Sequence, residues 1–329
     1  MAEKFEQKAV WLFKSIDESV LRGDEVWIKF RDIEMEIIED AYRKGKSDIA
    51  LDNYRIDFEE SVQIDKKDST KKQLVERVLM YEDQHYLREC RFRTPPSFTM
   101  APSYGKLKEW CPFLSAWLKT PMGMKSLIKF ETIIDACIEG ILKEAELHES
   151  HSMTEANWMV EQLKACKTKS RREISRLCIH LYTRESFLYR ILNAALRESD
   201  FSKLETLGPL CFLIRDYSRT CSEFVGTVYR GLDLTMDMIN SYKQALGTWR
   251  TWPSYTSTSK DRSMAELLGN TLFIIEITEL TLNSPRSYDL TDISQFPSEK
   301  EVLLPAGTSF LITDVEINSN SKHIVRIKL

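Results

Sequence analysis

Hydrophobic and polar positions follow different periods in successive parts of the chain. In the first eighty residues, short apolar runs such as Glu25–Phe30 and Tyr54–Phe58 are separated by polar and turn residues, which predicts strands. Between these runs, apolar residues recur at helical spacing from Asp32 to Lys44, with Asp32 as the expected cap. Strands around a single helix predict a half-barrel sheet wrapped on that helix.

The middle of the chain has apolar residues at helical spacing, after two short segments that contain proline and serine. The segments 93–97 and 101–105 interrupt regular structure and predict a linker. The helices predicted beyond them cover residues 107–118, 125–147, 152 onward, 169–197 and 204–221.

After Thr227 the pattern changes to short β-prone runs. The predicted strands cover residues 227–230, 252–259, 271–278, 302–304, 309–314 and 323–328, with helical segments at 236–246 and 263–268. We therefore expect an α+β fold in which a helical half packs on a β half of two sheets, with a cleft between the sheets.

Charge and composition exclude several classes of protein. The net charge is −4, and no polybasic block indicates a nucleic-acid footprint or a membrane patch. The longest apolar runs are far shorter than a membrane span, and the first residues are charged where a signal peptide is apolar. The seven cysteines include no CxxC pair, which favours reduced thiols in a cytoplasmic or nuclear protein without a metal centre.

Two carboxylates, Glu299 and Glu301, stand two residues apart at the start of the predicted strand Val302–Leu304. If Glu299 is already in extended backbone, both side chains lie on one face of the sheet. Like charges on one face repel each other unless a cation lies between them. The two residues are therefore either a solvated pair at a strand entrance or the binding site of a cationic group.

Three motifs, in a fixed order, carry a family resemblance. Arg230-Gly231 ends one β-prone run, Ser257-Thr258-Ser259 ends another, and Glu299-x-Glu301 opens a third. This order resembles the Arg-Ser-Glu class of mono-ADP-ribosyltransferases, which implies that family's fold and NAD as the substrate. The flanking segments that are similar to the same family are Leu272–Ile277, Glu301–Phe310, His180–Ser186 and Leu192–Arg197.

The resemblance assigns roles in NAD cleavage. Arg230 is expected to hold the pyrophosphate with its planar fork of donors, and Gly231 is expected to let the ligand approach the backbone. Glu301 is expected to bind the 2′-hydroxyl of the nicotinamide ribose and to face the positive charge that forms on the sugar. Ser257 is expected to hold Glu301 or the ribose. The other residues expected at NAD are Tyr229, Thr258, Ser259 and Phe273, of which Thr258 and Ser259 support the nicotinamide pocket.

The resemblance also indicates the acceptor. In this family, a Glu two residues before the catalytic Glu goes with arginine. Glu299 is therefore expected to pair with the acceptor guanidinium, which is charged near neutral pH and loses a proton during attack. Phe296, in the preceding loop, is expected to lay its ring against the guanidinium. The sequence departs from the family at Leu267-Leu268, where the family often has an aromatic residue that covers nicotinamide.

The N-terminal part resembles the WWE domain. The matching residues are Trp11, Trp27, Glu39, Ala41, Tyr54 and Gln63. The resemblance implies a site for the iso-ADP-ribose unit of poly-ADP-ribose or a related adenine nucleotide, with contacts from Trp27, Tyr54 and Gln63.

Two departures weaken that expected site. Phe13 stands where poly-ADP-ribose readers often have Tyr, and Lys71-Lys72-Gln73 stands where they have an Arg. These changes remove a hydroxyl and a bidentate phosphate fork. The alternative is that Trp11 and Trp27 are core residues and the domain binds no ligand.

We expect three parts: a WWE-like domain over residues 1–80, a helical linker over 81–152 and a mono-ADP-ribosyltransferase domain over 153–329. The expected activity is transfer of ADP-ribose from NAD to protein arginine, with ADP-ribose, poly-ADP-ribose or ATP at the N-terminal domain. Neither a membrane nor a nucleic acid is an expected partner. The alternatives are a module that reads ADP-ribose with weak catalysis, and an NAD glycohydrolase that uses water.

Overall fold

The computed structural model describes residues 7–16, 25–81, 99–100, 111–148, 152–219, 221, 223–278, 287–294, 296–318 and 321–329. The predicted linker segments 93–97 and 101–105 lie outside these residues. The chain divides into two compact units. The first unit contains the N-terminal part together with residues 141–165 and 184–187, and the second unit contains the rest.

The first unit contains an antiparallel sheet and a helix, α1 (Asp32–Arg43). The strands described there are β1 (Gln7–Ile16), β2 (Glu25–Lys29), β3 (Asp48–Ala50), β4 (Tyr54–Asp57), β5 (Val62–Asp65) and β6 (Lys72–Tyr81). Their order is β2-β1-β6-β5-β4-β3. Met35 and Ile38 of α1 join the apolar core formed with Trp11, Leu12 and Ile56. The predicted sheet packed on one helix is confirmed.

Strand β6 has no counterpart among the predicted strands. Its alternation is interrupted by the apolar pairs Leu74-Val75 and Val78-Leu79, so a period of two is not visible in the sequence. The strand also changes partner within its length, because Leu74 pairs with Val62 of β5 and Val75 pairs with Phe13 of β1. This change of partner joins the two parts of the sheet around α1.

The predicted cap of α1 is wrong by one residue. Arg31 is the N-cap, and its backbone N–H donates to the Glu34 carboxylate at 3.3 Å. Asp32 lies in the first turn and instead accepts a hydrogen bond of 3.0 Å from the backbone N–H of Glu185, within the same compact unit. The partner of Asp32 is therefore 153 residues away in sequence, and no local pattern indicates it.

The helices described before the second sheet are α2 (Pro112–Leu118), α3 (Pro121–Ile128), α4 (Glu131–Leu147), α5 (Ser152–Cys166), α6 (Arg171–Thr183), α7 (Phe187–Glu198) and α8 (Leu204–Asp216). The predicted helices 125–147 and 169–197 are therefore each two helices. The first break is at Lys129, where the backbone leaves the helical region. The second is at 184–186, where Arg184 and Glu185 instead contact Glu36 and Asp32 of the first unit's helix α1.

The second sheet contains nine strands within the described residues. Two further helices, α9 (Met236–Gln244) and α10 (Arg262–Glu266), lie between its strands in sequence. The strands are β7 (Thr99–Met100), β8 (Gly226–Leu232), β9 (Trp249–Trp252), β10 (Thr256–Ser259), β11 (Thr271–Ile277), β12 (Tyr288–Asp289), β13 (Glu301–Leu304), β14 (Thr308–Glu316) and β15 (His323–Lys328).

Hydrogen bonds connect the second sheet in the order β12-β13-β10-β8-β11-β15-β14-β9-β7. The α+β fold class is confirmed. The two expected sheets are continuous, because β11 pairs with β8 on one side and with β15 on the other. The predicted strand 252–259 is two strands separated by Pro253-Ser254, since β9 pairs with β14 and β10 pairs with β13. Proline has no N–H to donate to a ladder.

The strands that carry the three motifs are fixed by an apolar core. Val228 and Leu232 of β8, Phe273 of β11, and Val302 and Leu304 of β13 are all buried in one cluster. Each of them except Leu304 lies within two residues of a motif residue or across a strand from one. Packing at this density leaves little freedom for the backbone beneath the site.

Candidate active site

The structure brings the three motifs onto the adjacent strands β8, β10 and β13. Ser259 of β10 pairs with Tyr229 of β8 on one side and with Glu301 of β13 on the other. Side chains of cross-strand partners share a face, and a residue two positions along the strand shares it too. Ser257, Ser259 and Glu301 therefore project from the same face of β10 and β13.

Arg230 connects β8 to the hydroxyl-rich strand. Its Nη1 donates to the backbone carbonyl of Ser257 at 2.6 Å. Alternation places Arg230 on the face of β8 that bears the buried Val228 and Leu232. A guanidinium on an apolar face is exceptional, since burying a charge is costly unless it is paired and hydrogen-bonded.

The predicted catalytic residues are among the most buried polar residues of the protein. The exposed fractions are 4% for Arg230, 4% for Ser257, 2% for Glu299 and 0% for Glu301. Electrostatic interactions are stronger where water is excluded, because the effective dielectric constant is lower. A buried carboxylate such as Glu301 can therefore stabilise charge that develops on a bound substrate. Alternation along β8 puts Arg230 on the opposite face from Tyr229, whose cross-strand partner Ser259 shares a face with Glu301.

Glu299 is not in extended backbone, so the premise of a period of two is wrong. It ends a 3₁₀ turn, Pro297–Glu299, and Lys300 follows in the left-handed region at φ 45° and ψ 45°. Strand β13 begins only at Glu301. The position of Glu299 relative to Glu301 is therefore set by the turn.

Two hydroxyls of the Ser-Thr-Ser motif hold this turn and the strand behind it. Thr258 Oγ1 donates to the carbonyl of Val302 at 2.6 Å, and Ser259 Oγ donates to the carbonyl of Glu299 at 2.7 Å. Ser259 Oγ also accepts a bond of 2.9 Å from the backbone N–H of Asp261. Both hydroxyls, which were expected to support the nicotinamide pocket, make their bonds to backbone that carries the two glutamates.

Two ion pairs brace the same region, and sequence reasoning missed both. Lys300 Nζ lies 3.1 Å from Asp261, and Lys260 Nζ lies 2.8 Å from Asp289. The hydrogen bond from Ser263, followed by that from Lys300, lowers the pKa of the Asp261 carboxyl. The paired residues are 39 and 29 positions apart in sequence, so no local pattern indicates them.

Gly231 has a packing requirement of its own, because the space that a side chain would occupy at its Cα is already filled. A Cβ built there would lie 1.8 Å from the carbonyl oxygen of Ala265 and 2.6 Å from that of Leu268. These carbonyls belong to α10 and the residues that follow it. Glycine is therefore required for the close packing of this helix on β8, and its expected role in ligand approach stays a prediction.

The remaining residues expected at NAD lie in different surroundings. Tyr229 is half-buried on β8, and Phe296 is half-buried before the 3₁₀ turn. Phe273 is completely buried, with its ring 5.2 Å from Tyr242 and 6.0 Å from Trp252. Phe273 therefore supports the strand beneath Arg230, its cross-strand partner, as a core residue. At the position of the missing family aromatic, Leu267 is 69% exposed and Leu268 is buried.

In the first unit, the residues of the WWE resemblance form a structural cluster. The indole of Trp11 donates to Glu39 at 2.9 Å, and Arg77 makes two hydrogen bonds of 2.9 and 2.8 Å to the same carboxylate. The bonds from Arg77 are the largest cause that lowers the pKa of Glu39 to about 2. Arg77 also lies over the ring of Tyr42. Sequence reasoning missed Arg77, which lies on the unpredicted strand β6.

The residues expected to bind a nucleotide lie on three strands of that sheet. Trp27 is on the edge strand β2 and is 40% exposed. The Tyr54 hydroxyl donates to Glu34 at 2.8 Å. The amide of Gln63 donates to its cross-strand partner Gln73, one of the residues that replace the family's Arg. Trp27 is therefore the one of the three whose side chain presents a large exposed surface.

Comparison with known proteins identifies the family. The model of the NAD:arginine ADP-ribosyltransferase family matches residues 135–328, more than half of the chain. This protein belongs to that family. Residues 9–77 match the WWE domain family, so both suspected resemblances are confirmed.

Individual proteins that are similar to this chain have low sequence identity to it. A putative NAD(+)–arginine ADP-ribosyltransferase, Mav, from Mycobacterium avium is 30% identical over 135 residues, which are 40% of this chain but only 15% of the relative's length. The solved ADP-ribosyltransferase HopU1 of Pseudomonas syringae is 20% identical, with a TM-score of 0.45 over 60% of this chain and 96% of the other. Exoenzyme S from Pseudomonas aeruginosa, solved with 14-3-3 protein and carba-NAD, is 17% identical, with a TM-score of 0.40 over 59% and 88%.

Two further observations concern metal binding and membrane-spanning helices in the described part of the chain. Among the described residues, no group of three or more His, Cys, Asp or Glu side chains is arranged to hold a metal ion. No helix in the same residues is long and apolar enough to cross a membrane.

Proposed function

We propose that this transferase moves ADP-ribose from NAD to the guanidinium of protein arginine residues and releases nicotinamide. The observation that supports this most is the placement of Glu299. Its carboxylate-bearing turn is held by Ser259 and directly precedes the strand that begins with the buried Glu301. A second carboxylate beside the first suits a cationic acceptor and is not needed for NAD alone.

The first half of the reaction breaks the bond between nicotinamide and C1′ of the ribose. Positive charge then builds on the sugar ring, and a carboxylate beside it stabilises that state, as in glycoside hydrolysis. Glu301 supplies this carboxylate from a position with no exposed surface. Arg230 binds the pyrophosphate with its guanidinium, and its bond to Ser257 fixes its orientation.

The second half forms a bond between C1′ and a guanidino nitrogen. A guanidinium is fully protonated near neutral pH, so it must be paired and must give up a proton as it attacks. Glu299 pairs with the guanidinium before attack and accepts the proton that is lost as the bond between the guanidino nitrogen and C1′ forms, and the adduct keeps one positive charge. Phe296 lies three residues before Glu299 and contacts the same loop, because the Glu299 N–H donates to the Phe296 carbonyl at 3.1 Å.

The test is consumption of NAD with and without agmatine, a small guanidino acceptor. We expect nicotinamide release to rise with agmatine, and ADP-ribosyl-agmatine to appear in proportion. Lysine amides and amino-alcohols provide matched acceptors without a guanidinium, and we expect no adduct with them. If free ADP-ribose were the only product at every agmatine concentration, the protein would be an NAD glycohydrolase and the proposal would fail.

We also propose that the WWE domain binds an adenine nucleotide or an ADP-ribose unit through Trp27. A large aromatic side chain with 40% of its surface exposed supports this proposal, because stacking on a base would bury that surface. Calorimetry on the full chain with the cleavage-deficient Glu301→Gln background separates the two sites. We expect Trp27→Ala to remove one binding event for ADP-ribose or ATP and to leave NAD binding. Equal binding heats for ADP-ribose and ATP in Trp27→Ala and in its parent protein would refute this site.

A further inference from the structure

The loop before Glu299 is attached to helix α6 by two hydrogen bonds. Arg176 Nη2 donates to the carbonyl of Asp292 at 2.9 Å, and His180 Nδ1 lies 2.8 Å from the carbonyl of Ile293. A carbonyl oxygen can only accept a hydrogen bond, so the proton of this contact is on Nδ1. The two donors are four residues apart, on one face of the helix, and they reach successive carbonyls.

Helix α6 is itself a rigid support. Arg171, in its first turn, donates to Asp216 at the end of α8 at 2.6 Å, and Ser175 donates to the same carboxylate at 3.2 Å. The Arg171 guanidinium also stacks on the ring of Phe130 at 4.5 Å. The helix is thus fixed to its neighbours independently of the loop that it holds.

The loop is held at both ends as well. Asp289, where it begins, pairs with Lys260 and accepts hydrogen bonds from the N–H and the hydroxyl of Thr291. Glu299, where it ends, has its carbonyl held by Ser259. Between these ends, the segment has local hydrogen bonds to Leu290 and buried side chains at Leu290 and Ile293. The contacts from α6 at residues 292 and 293 tether the same segment to a helix outside the sheet.

We propose that Arg176 and His180 are positioning residues that preorganise the acceptor-binding loop for attack by arginine. The proposal rests on the proposed function, because it takes Glu299 and Phe296 as the groups that meet the guanidinium. The residues proposed to bind NAD lie on β8, β10 and β13, whose ladder does not depend on α6. Loss of the tethers is therefore expected to affect the acceptor step and to leave NAD cleavage by water in place.

The main variant is His180→Ala, with His180→Asn and His180→Gln as matched partners. The Asn amide nitrogen occupies the place of Nδ1, whereas the Gln amide nitrogen falls nearer the place of Nε2. We expect His180→Ala to lower kcat/KM for agmatine by about tenfold or more, mainly through KM, because misplacement by about 1 Å is enough for such losses. We expect His180→Asn to restore most of this loss and His180→Gln to restore little.

Arg176→Ala is expected to cause a smaller loss, because its bond is exposed to solvent. Arg172→Ala provides the control, as Arg172 is an exposed cation on the same helix. The double variant of Arg176 and His180 is expected to lose less than the product of the single losses, since both bonds hold one turn. Nicotinamide release without agmatine is expected to stay within twofold of wild type in each variant.

Hydrogen exchange supplies a readout that does not require transfer. The amides of Asp289–Glu301 are expected to exchange faster in His180→Ala and at the wild-type rate in His180→Asn. Unchanged exchange and an unchanged KM in His180→Ala would overturn the proposal. Equal loss of hydrolysis and transfer would also overturn it, because the tether would then act on the whole site. If wild type made no agmatine adduct, the proposed function would fail and the acceptor role of the tethers with it, whatever the exchange rates showed.

Discussion

The two sheets of this protein use their signature residues in different ways. In the N-terminal sheet, the Trp11 indole donates to Glu39, and Arg77 donates to both oxygens of the same carboxylate. In the C-terminal sheet, Ser259 and Thr258 bond to backbone, while the charged Glu301 is completely buried. The ion pair of the first sheet stabilises the fold. In the second sheet, neutral hydroxyls position the backbone that carries Glu299 and Glu301.

The comparison shows how residues that stabilise a fold differ from residues that are positioned for a reaction. A partly buried ion pair such as Arg77–Glu39, with its partners inside one domain, contributes to folding or is nearly neutral to it. A buried carboxylate on a strand whose neighbours are clamped by hydroxyls is placed at a cost to stability, which is typical of a reaction site. Substitutions should therefore affect stability in the first sheet and activity in the second.

The largest expected effect is that of Glu301→Gln on nicotinamide release. The change keeps the shape of the side chain but removes the charge that faces the forming cation. Loss of one such electrostatic contribution costs about 10²–10³-fold in rate. We expect NAD to bind with similar affinity in calorimetry. Glu276→Gln, on the exposed end of β11, is the control, and a wild-type rate in Glu301→Gln would contradict the assignment.

Glu39→Ala is expected to act on stability alone. It leaves the Trp11 indole and the Arg77 guanidinium without their shared acceptor, which costs about 2–3 kcal/mol. Asp40→Ala is the matched control, because Asp40 is 61% exposed and makes only a surface pair with Lys44. Urea unfolding should separate the two variants, while their specific transferase rates at low temperature stay the same. A loss of activity without a loss of stability in Glu39→Ala would contradict the structural role assigned to Glu39.

The stability of the first compact unit is expected to depend on pH through Glu155 of α5. Burial raises the pKa of its carboxyl to about 7, while the Phe187 N–H and Arg31 oppose the shift. The unfolded carboxyl titrates near the ordinary value of 4.5, so the folded state binds more protons between these two values. Stability contributed by the neutral form is then present at acid pH and is lost as pH rises toward about 7.

Glu155→Gln removes this titration. We expect the variant to match wild type near pH 5 and to be more stable at pH 8, by about 1–3 kcal/mol. Thermal unfolding of both proteins at the two pH values measures the difference. A variant that is less stable than wild type at pH 8 would show that the charged form is favoured in the fold.

Ser259→Ala has the smallest expected effect. It removes the donor to the Glu299 carbonyl and the acceptor of the Asp261 N–H. A hydrogen bond of this kind is worth about 1 kcal/mol, which corresponds to about fivefold in transfer to agmatine. Ser241→Ala is the control, since its hydroxyl also bonds a backbone carbonyl, in α9. Transfer at the wild-type rate would mean that the turn holds without its hydroxyl.

Sequence alone was sufficient where a feature depends on local pattern. The strands around Arg230 and Glu301 and the helix of the first domain follow from apolar spacing, and the order of the motifs is read directly from the sequence by its resemblance to the family. The left-handed Lys300 that places Glu299, the packing use of Gly231 and the break at 184–186 do not. Each of these is fixed by a partner far away in sequence, such as Ser259 for the turn or Asp32 for the break.

The measurement that tests the account most directly is the partition of NAD between agmatine and water in Glu299→Ala. Glu299 is needed only where a guanidinium must be held and deprotonated, and water requires neither. We expect the variant to form no ADP-ribosyl-agmatine and to release nicotinamide and free ADP-ribose at close to the wild-type rate without acceptor. Adduct formed at the wild-type rate would show that Glu299 does not act on the acceptor and would contradict the account.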